Sequence, residues 1–187
     1  MSTLCYIQNF MKDRYVASIT PTSPFGVKNV CNKIAFGPSE VIVEYGAGTG
    51  VFTRHLLRNM SSGGRLIVIE RNSQFNSILQ QNFRDPRVTI VNDSAENVLD
   101  TLRRFEVSQV DYVISGIPFL WLDCEVKQKI LCNTHRILKT KGKFLAYQTF
   151  FQTSRDLKVH LDRYFSRVRV NYEFMNIPPL CIYEAIK

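Results

Sequence analysis

The residues best suited to chemistry lie in the segment VIVEYGAGTG at 41–50, followed by Val51, Phe52, Thr53 and Arg54. An apolar run leads into three alternating glycines, and a helix-like stretch follows. Gly46, Gly48 and Gly50 allow a tight backbone turn and leave room for a ligand where side chains would collide. Exposed N–H groups at the start of the next helix can hold polar or anionic groups of that ligand. The spacing is G-x-G-x-G, not the G-x-G-x-x-G of dinucleotide-binding turns. Glu44, two residues before the first glycine, opposes a pyrophosphate but suits a ligand that carries an ammonium group. S-adenosylmethionine has both an ammonium and a sulfonium, so the turn is read as its binding site.

Two later acids fit the same ligand. Glu70 stands at the end of the next apolar run, where a carboxylate can accept from both ribose hydroxyls. Asp93, in VNDSA at 91–95, is placed to meet an adenine exocyclic amine. Asp93 and Ser94 also suit the capping of a helix that starts at Ala95. Tyr45, Ala47, Arg71, Ser94, Ala95 and Ser115, beside these groups at the same strand ends, complete the expected cofactor contacts.

These groups need a scaffold that brings strand ends together. Short β-branched runs occur at 41–45, 66–70, 88–92, 110–115, 143–148, 167–172 and 180–186. Helix-like stretches follow the first five, at 51–59, 73–83, 95–105, 123–138 and 153–164. Strands alternating with helices predict a parallel sheet with helices on both faces, a doubly wound α/β sandwich. The last two strands are separated by 173–179 with its Pro178-Pro179 break, which predicts an antiparallel hairpin at one edge. Residues 1–39 form a helical extension, with helices expected at 4–15 and 25–36 around a Thr20–Pro24 break, and the catalytic domain is expected over 40–187.

The 187 residues suit one domain with a single core. An apolar fraction of 45% and 13 Phe exclude a disordered or collagenous chain. The longest nearly apolar run, at 112–122, contains Ser115, Gly116 and Pro118. It falls short of the roughly 18 residues that span a bilayer. The first residues lack the basic, apolar and small-residue order of a signal peptide, so a cytoplasmic protein is expected. Five cysteines, an odd number without C-x-x-C spacing, read as reduced thiols and give no metal site. His55, His135 and His160 fall on predicted helices, as surface or packing residues. The net charge is +8, and 127–169 holds eleven basic residues against two acids, hence +9 in that segment alone. Such a basic third suits phosphate, in RNA or on an anionic membrane, although solvated helix faces produce the same pattern.

On these features, residues 40–187 resemble the class I S-adenosylmethionine-dependent methyltransferases. That resemblance implies a Rossmann-like seven-stranded sheet in the order 3-2-1-4-5-7-6, with the last strand antiparallel. A narrower likeness is to bacterial phospholipid N-methyltransferases. It rests on VASITPTS at 16–23, SGIP at 115–118, Tyr147-Gln148, and NIPP at 176–179. Ala17 and Thr22 depart from the glycine and serine usual in the first of these. The chain also resembles ribosomal RNA adenine dimethyltransferases, through QNFM at 8–11 and SGIPF at 115–119. In those enzymes an Asn precedes the Ile-Pro-Phe; here Ser115-Gly116 replaces that amide. Gln8 also lies 36 residues before Glu44, farther than that family leads one to expect.

The favoured reading is therefore methylation of a phospholipid head-group amine, with RNA adenine or a small amine as alternatives. Gly116, Ile117 and Pro118 are expected to bind the acceptor. Tyr15, Ser115 and Tyr147 are expected to position the amine or accept its proton. NIPP at 176–179 is expected to edge the pocket. In the 4–15 helix, Leu4, Tyr6, Ile7, Phe10 and Met11 form an apolar stripe with Lys12 and Arg14 behind it. Such a helix suits either the core or a peripheral position on an anionic membrane.

Overall fold

A computed structural model describes residues 22–152 and 155–187. The expected helix at 4–15, Tyr15 within it, and the motif residues up to 21 lie outside the described residues.

The first described helix, α1 (Pro24–Cys31), starts where the Ser23 hydroxyl accepts the Gly26 N–H at 3.1 Å. Pro24 takes the first helical position, where its missing N–H costs nothing. The expectation placed Pro24 in a break and ran the helix to 36. Instead the helix closes at Asn32, whose N–H bonds the carbonyls of Lys28 and Val30. Tight three-residue bonds from Lys33 to Val30 and from Ile34 to Cys31 then turn Ile34 into the core.

The rest alternates as expected: β1 (Val41–Tyr45), α2 (Val51–Asn59), β2 (Arg65–Ile69), α3 (Ser73–Asn82), β3 (Val88–Val91), α4 (Val98–Arg104), β4 (Val110–Ser115), α5 (Cys124–Ile137), β5 (Leu138–Thr149), α6 (Arg155–Tyr164), β6 (Arg167–Glu173) and β7 (Leu180–Ile186). The sheet order is 3-2-1-4-5-7-6. Strand β7 runs antiparallel to both neighbours, β5 and β6. Helices α1, α2 and α3 cover one face through Val30, Phe52, Leu56 and Leu79. Helices α4, α5 and α6 cover the other through Val98, Leu131 and Leu161. Strands β1 and β2 are buried along all but their first residue, which explains their unbroken apolar runs.

Two further elements differ from expectation. Ahead of α4, Ala95–Asn97 forms a 3-10 turn, with the Ser94 hydroxyl accepting from Glu96 N–H at 3.4 Å. Strand β5 begins at Leu138 rather than 143, across a register shift opposite Val110 and Tyr112. The Lys139-Thr-Lys-Gly run looks like a loop, yet Lys139 Nζ holds Asp111 at 2.8 Å and the Lys141 N–H reaches the Lys187 carbonyl. Main-chain pairing with the neighbouring strand overrides local composition there.

Acids elsewhere in the chain neutralise part of the basic third. Lys143 meets Glu184 at 2.8 Å, and Lys129 lies 3.9 Å from Glu96. Arg167 and Arg169 remain exposed on the edge strand β6. Among the described residues, no helix is long and apolar enough to cross a membrane.

Candidate active site

A cleft opens at the carboxyl ends of the parallel strands, where strand order reverses between β1 and β4. Its floor is the glycine turn after β1. Gly46, Gly48 and Gly50 have φ of 66°, 56° and 80°, a region that other residues rarely adopt. The turn is closed by the Gly50 N–H to the Ala47 carbonyl, and hung on β2 by the Gly46 N–H to the Ile69 carbonyl, both at 2.9 Å. Gly46, Ala47 and Gly48 line the cleft. Gly50 does not: any side chain there would run into Phe83 and Leu79, so its role is the packing of α2 against α3.

Glu70 borders the cleft with both carboxylate oxygens engaged. Oε2 accepts the Gly48 N–H at 2.9 Å, and Oε1 accepts the Asn72 N–H at 2.8 Å. The acid thus ties the glycine turn to the start of α3, which Asn72 caps through the N–H groups of Gln74 and Phe75. Arg71 and Asn72 continue this wall. The Asn92 side chain bonds the carbonyls of Glu70 and Arg71 and so joins the second loop to the third.

Asp93, Ser94 and Ala95 line the cleft as the third loop. Asp93 Oδ1 accepts from Ser94 N–H at 2.7 Å and Asn97 Nδ2 at 2.8 Å, and Oδ2 meets Arg104 at 3.0 Å. Burial opposes its charge, but these bonds from Asn97 and Ser94 and the Arg104 guanidinium outweigh it, holding the carboxyl below the usual carboxylate range. Asp93 and Ser94 therefore split the duties expected of either: Ser94 caps the turn, and Asp93 organises the loop. Across from them, α5 contributes Val126 and Ile130. It is tied to the third loop by Asn133 Nδ2 donating to the Glu96 carbonyl at 3.0 Å.

The fourth loop supplies Gly116, Ile117 and Pro118. Gly116 is pinned by its N–H to the Tyr45 carbonyl at 3.0 Å, and Gln148 Nε2 donates to the Ile117 carbonyl at 3.4 Å. Tyr147 enters from β5 and stacks on Phe52 with centroids 4.3 Å apart and planes at 20°. Its hydroxyl comes so close to Gly116 that an added Cβ would lie 2.5 Å from it. Gly116→Ala is therefore expected to push Tyr147 off its stack. Overpacking of this kind costs about 1–3 kcal/mol, and a 1 Å misplacement within an active site costs on the order of 10²-fold in rate. A thermal melt and a methyl-transfer assay check both; a variant with unchanged rate would contradict the placement of Tyr147.

Glu44, Tyr45 and Ser115, all expected at the site, are buried and do not line the cleft. Glu44 faces α2, where the Thr53 hydroxyl donates to Oε2 at 2.7 Å. Its Oε1 has no hydrogen-bond partner among the described residues. Burial pushes this carboxyl up to about 7. Tyr45 lies on the opposite face of the sheet, within 3.3 Å of the Thr134 hydroxyl, and burial raises its phenol. Ser115 Oγ accepts the Ile117 N–H at 3.3 Å and so braces the fourth loop from inside. Phe119 is fully buried, edge-on to Phe144 at 6.2 Å. Asn176 does not edge the cleft either. Its Oδ1 accepts the Ser23 N–H at 2.6 Å, which fixes Thr22 in the cleft wall. His55, His135 and His160 are not in the wall.

Sequence reasoning missed Thr22, Phe52, Asn72, Val126 and Ile130. Asn72 carried a signal, since an Asn directly before a helical stretch is an expected cap. Val126 and Ile130 stand at i and i+4 on one helix face, but the direction of that face is a tertiary fact.

The cleft's donor set fits S-adenosylmethionine. Backbone space at the glycine turn is kept open, with an added Cβ at Gly46 reaching 3.4 Å from Ile117, and acids border it at two successive strand ends. Comparison with known proteins agrees. Residues 42–142 match the methyltransferase domain family. An ornithine lipid N-methyltransferase of Singulisphaera acidiphila is 26% identical over 176 residues, covering 90% of this chain and 86% of that protein. An uncharacterized methyltransferase of Oceanobacillus iheyensis is 24% identical over 133 residues, 71% of this chain and 58% of that one. The solved precorrin-6y C5,15-methyltransferase of Geobacter metallireducens superposes with a TM-score of 0.73 at 20% identity, covering 94% of this chain and 96% of that one. The structural likeness shows the fold. With more than half of its length inside the family match, the chain belongs to the methyltransferase domain family and is an S-adenosylmethionine-dependent methyltransferase.

Proposed function

We propose that the methyl acceptor is the amine of a lipid head group, such as that of phosphatidylethanolamine or an ornithine lipid. The observation that carries this reading is the make-up of the fourth loop. The amide that precedes Ile-Pro-Phe in the adenine dimethyltransferases is replaced here by Ser115, whose hydroxyl is turned into the fold, and by Gly116, which brings no side chain to the cleft, and the Phe119 ring is buried. What faces the cleft instead is Ile117, Pro118, Tyr147 and Thr22. The likeness to an ornithine lipid N-methyltransferase over most of the chain supports the same choice. The division at residue 40 belongs to the proposal: the extension docks α1 on the core and lends Thr22 to the cleft.

When bound, S-adenosylmethionine would supply a sulfonium methyl for in-line transfer to a neutral amine, the S–C bond breaking as the N–C bond forms and the thioether leaving. We assign the ribose hydroxyls to Glu70; an ionised carboxylate offers about four acceptor positions, so holding two backbone N–H groups leaves the chemistry possible. The apolar slot between Val126, Ile130 and Ala95 takes the purine, with Asp93 and its loop at the edge. Gly46, Ala47 and Gly48 present backbone to the amino acid end. The Gly116 carbonyl and the Tyr147 hydroxyl orient the amine and receive its hydrogen bonds, while Ser115 braces the loop that carries them, so most of the rate gain comes from alignment and exclusion of water. Tyr15 keeps its expected role as part of this proposal.

A labelled-methyl assay tests the acceptor across phosphatidylethanolamine liposomes, ribosomal RNA and small soluble amines. Label in the lipid is the expected result. Label appearing only in RNA or only in the soluble amines overturns the lipid reading.

A further inference from the structure

An exposed apolar ledge adjoins the acceptor end of the cleft and plays no part in the site described so far. It is built from the β6–β7 hairpin tip and the turn after β5. Phe151 is 80% exposed, Phe174 72%, Met175 65% and Ile177 83%. Phe150 and Tyr172, each about half exposed, lie 6.2 Å apart, and Tyr172 stacks near Phe174 at 6.2 Å, so these three rings form one run, with Phe151 and Met175 adjacent to it in the chain. Isolated exposed apolar residues are ordinary, but a contiguous aromatic group marks a docking site.

The ledge is mechanically joined to the cleft mouth. The Phe150 N–H bonds the Pro179 carbonyl at 2.8 Å, and Phe150 follows cleft residue Tyr147 by three positions. Asn176, in the hairpin tip, accepts the Ser23 N–H next to cleft residue Thr22. Asn29 of α1 donates to Glu173 at 2.6 Å, bracing the tip a second time. Phe25, on the helix that braces the tip, is 58% exposed.

Charge around the ledge selects its occupant. Glu173 is the sole acid in 172–179. Its carboxylate is taken by Asn29 and by the Met175 N–H. Lys28 is exposed one helical turn beyond Phe25. Arg167 and Arg169 are exposed on β6. Arg169 stands three residues before Tyr172, about 10 Å along the strand. An aromatic ledge with exposed Lys and Arg on the adjoining helix and strand, and with its one acid occupied, complements an anionic bilayer surface.

We propose that this ledge inserts into the interface of an anionic phospholipid membrane and brings the acceptor end of the cleft to the head groups. The proposal rests on the lipid-acceptor reading and adds to it the surface by which lipid is reached. The hairpin and the turn after β5 enter the acyl boundary, while Lys28, Arg167 and Arg169 stay at the phosphate level.

The test uses the full chain and its Phe151→Ser/Phe174→Ser/Met175→Ser variant, all three residues being exposed and outside the cleft. Sedimentation is measured with vesicles of equal parts phosphatidylglycerol and phosphatidylcholine, and with phosphatidylcholine alone. Wild type is expected to prefer the anionic vesicles, and the variant to partition at least about tenfold less. S-adenosylmethionine affinity and methyl transfer to a short-chain aminolipid in detergent micelles are expected to be retained. Equal vesicle binding by wild type and variant overturns the proposal, as does wild type that ignores anionic vesicles. A fall in thermal stability of the variant without a change in partition also overturns it, because the three side chains then serve the fold rather than a membrane. Loss of a dimer on light scattering without a change in partition overturns it in favour of a second copy. Ledge-dependent vesicle binding with no aminolipid methylated in micelles upholds the surface and sinks the acceptor reading instead.

Discussion

Glu70→Ala is expected to bind S-adenosylmethionine about 10²-fold more weakly than the wild type, since hydrogen bonds to a charged group contribute about 1.5–3 kcal/mol each and 1.4 kcal/mol is tenfold. Two such bonds to the ribose hydroxyls at the lower end of that range give the quoted loss. The free protein should also suffer. The carboxylate accepts the N–H groups of Gly48 and Asn72, so its removal frees the glycine turn from the start of α3. An unsatisfied buried donor costs about 1–3 kcal/mol, or several degrees of melting temperature for a domain of this size. Glu70→Gln separates the two effects. Its single carbonyl oxygen serves one N–H, while its amide group meets the other donor face to face. It should therefore lie between wild type and alanine in both measurements. Isothermal titration calorimetry and thermal unfolding provide the readouts. A folded Glu70→Ala protein with wild-type affinity would remove Glu70 from the ribose site.

The second large effect concerns pH. Burial, with the charge of nearby Glu70 adding to it and the Thr53 hydrogen bond opposing, moves the Glu44 carboxyl from its ordinary 4.5 to about 7. Between those values the unfolded chain has released the proton and the folded chain still holds it. Unfolding is therefore favoured as pH rises: the Glu44 contribution is fully present below about 4.5 and is lost as pH passes through about 7. The difference corresponds to about 3 kcal/mol, an order-of-magnitude figure for one fully buried carboxyl. Glu44→Gln keeps an acceptor for the Thr53 hydroxyl and cannot ionise. Its stability should be nearly flat across this window, and above pH 7 it should exceed that of the wild type. Urea unfolding at several pH values in that range measures the slope. An identical slope in both proteins would show that Glu44 titrates normally.

Some of this architecture was legible before any coordinates. The alternation of β-branched runs with helix-like stretches follows from burial of strands on both faces, and it led to the seven strands observed. The glycine turn was legible because positive φ at 46, 48 and 50 restricts those positions to residues without a side chain. Glu70 and Asp93 could be placed beside the cleft because Glu70 directly follows β2, Asp93 comes two residues after β3, and parallel strands deliver their ends to one edge of the sheet.

Other features were hidden for identifiable reasons. Glu44 and Ser115 sit where motif spacing puts them, yet their side chains face inward, toward Thr53 and the Ile117 N–H. A strand's period of two says which residues share a face, not which face the ligand occupies. The stack of Tyr147 on Phe52 joins residues 95 positions apart and leaves no local signature. The NIPP stretch read as a pocket edge, but long-range bonding turned Asn176 to the backbone of Ser23.

By itself, the sequence determined the alternation of strands and helices and the glycine turn that floors the cleft, because these depend on periodicity and on single-residue backbone restrictions. Tertiary structure decided which polar groups face the cleft, which are spent bracing it, and which aromatic side chains are left exposed. Those outcomes depend on pairs of residues far apart in the chain, where packing and hydrogen-bond satisfaction are settled only when the layers close together.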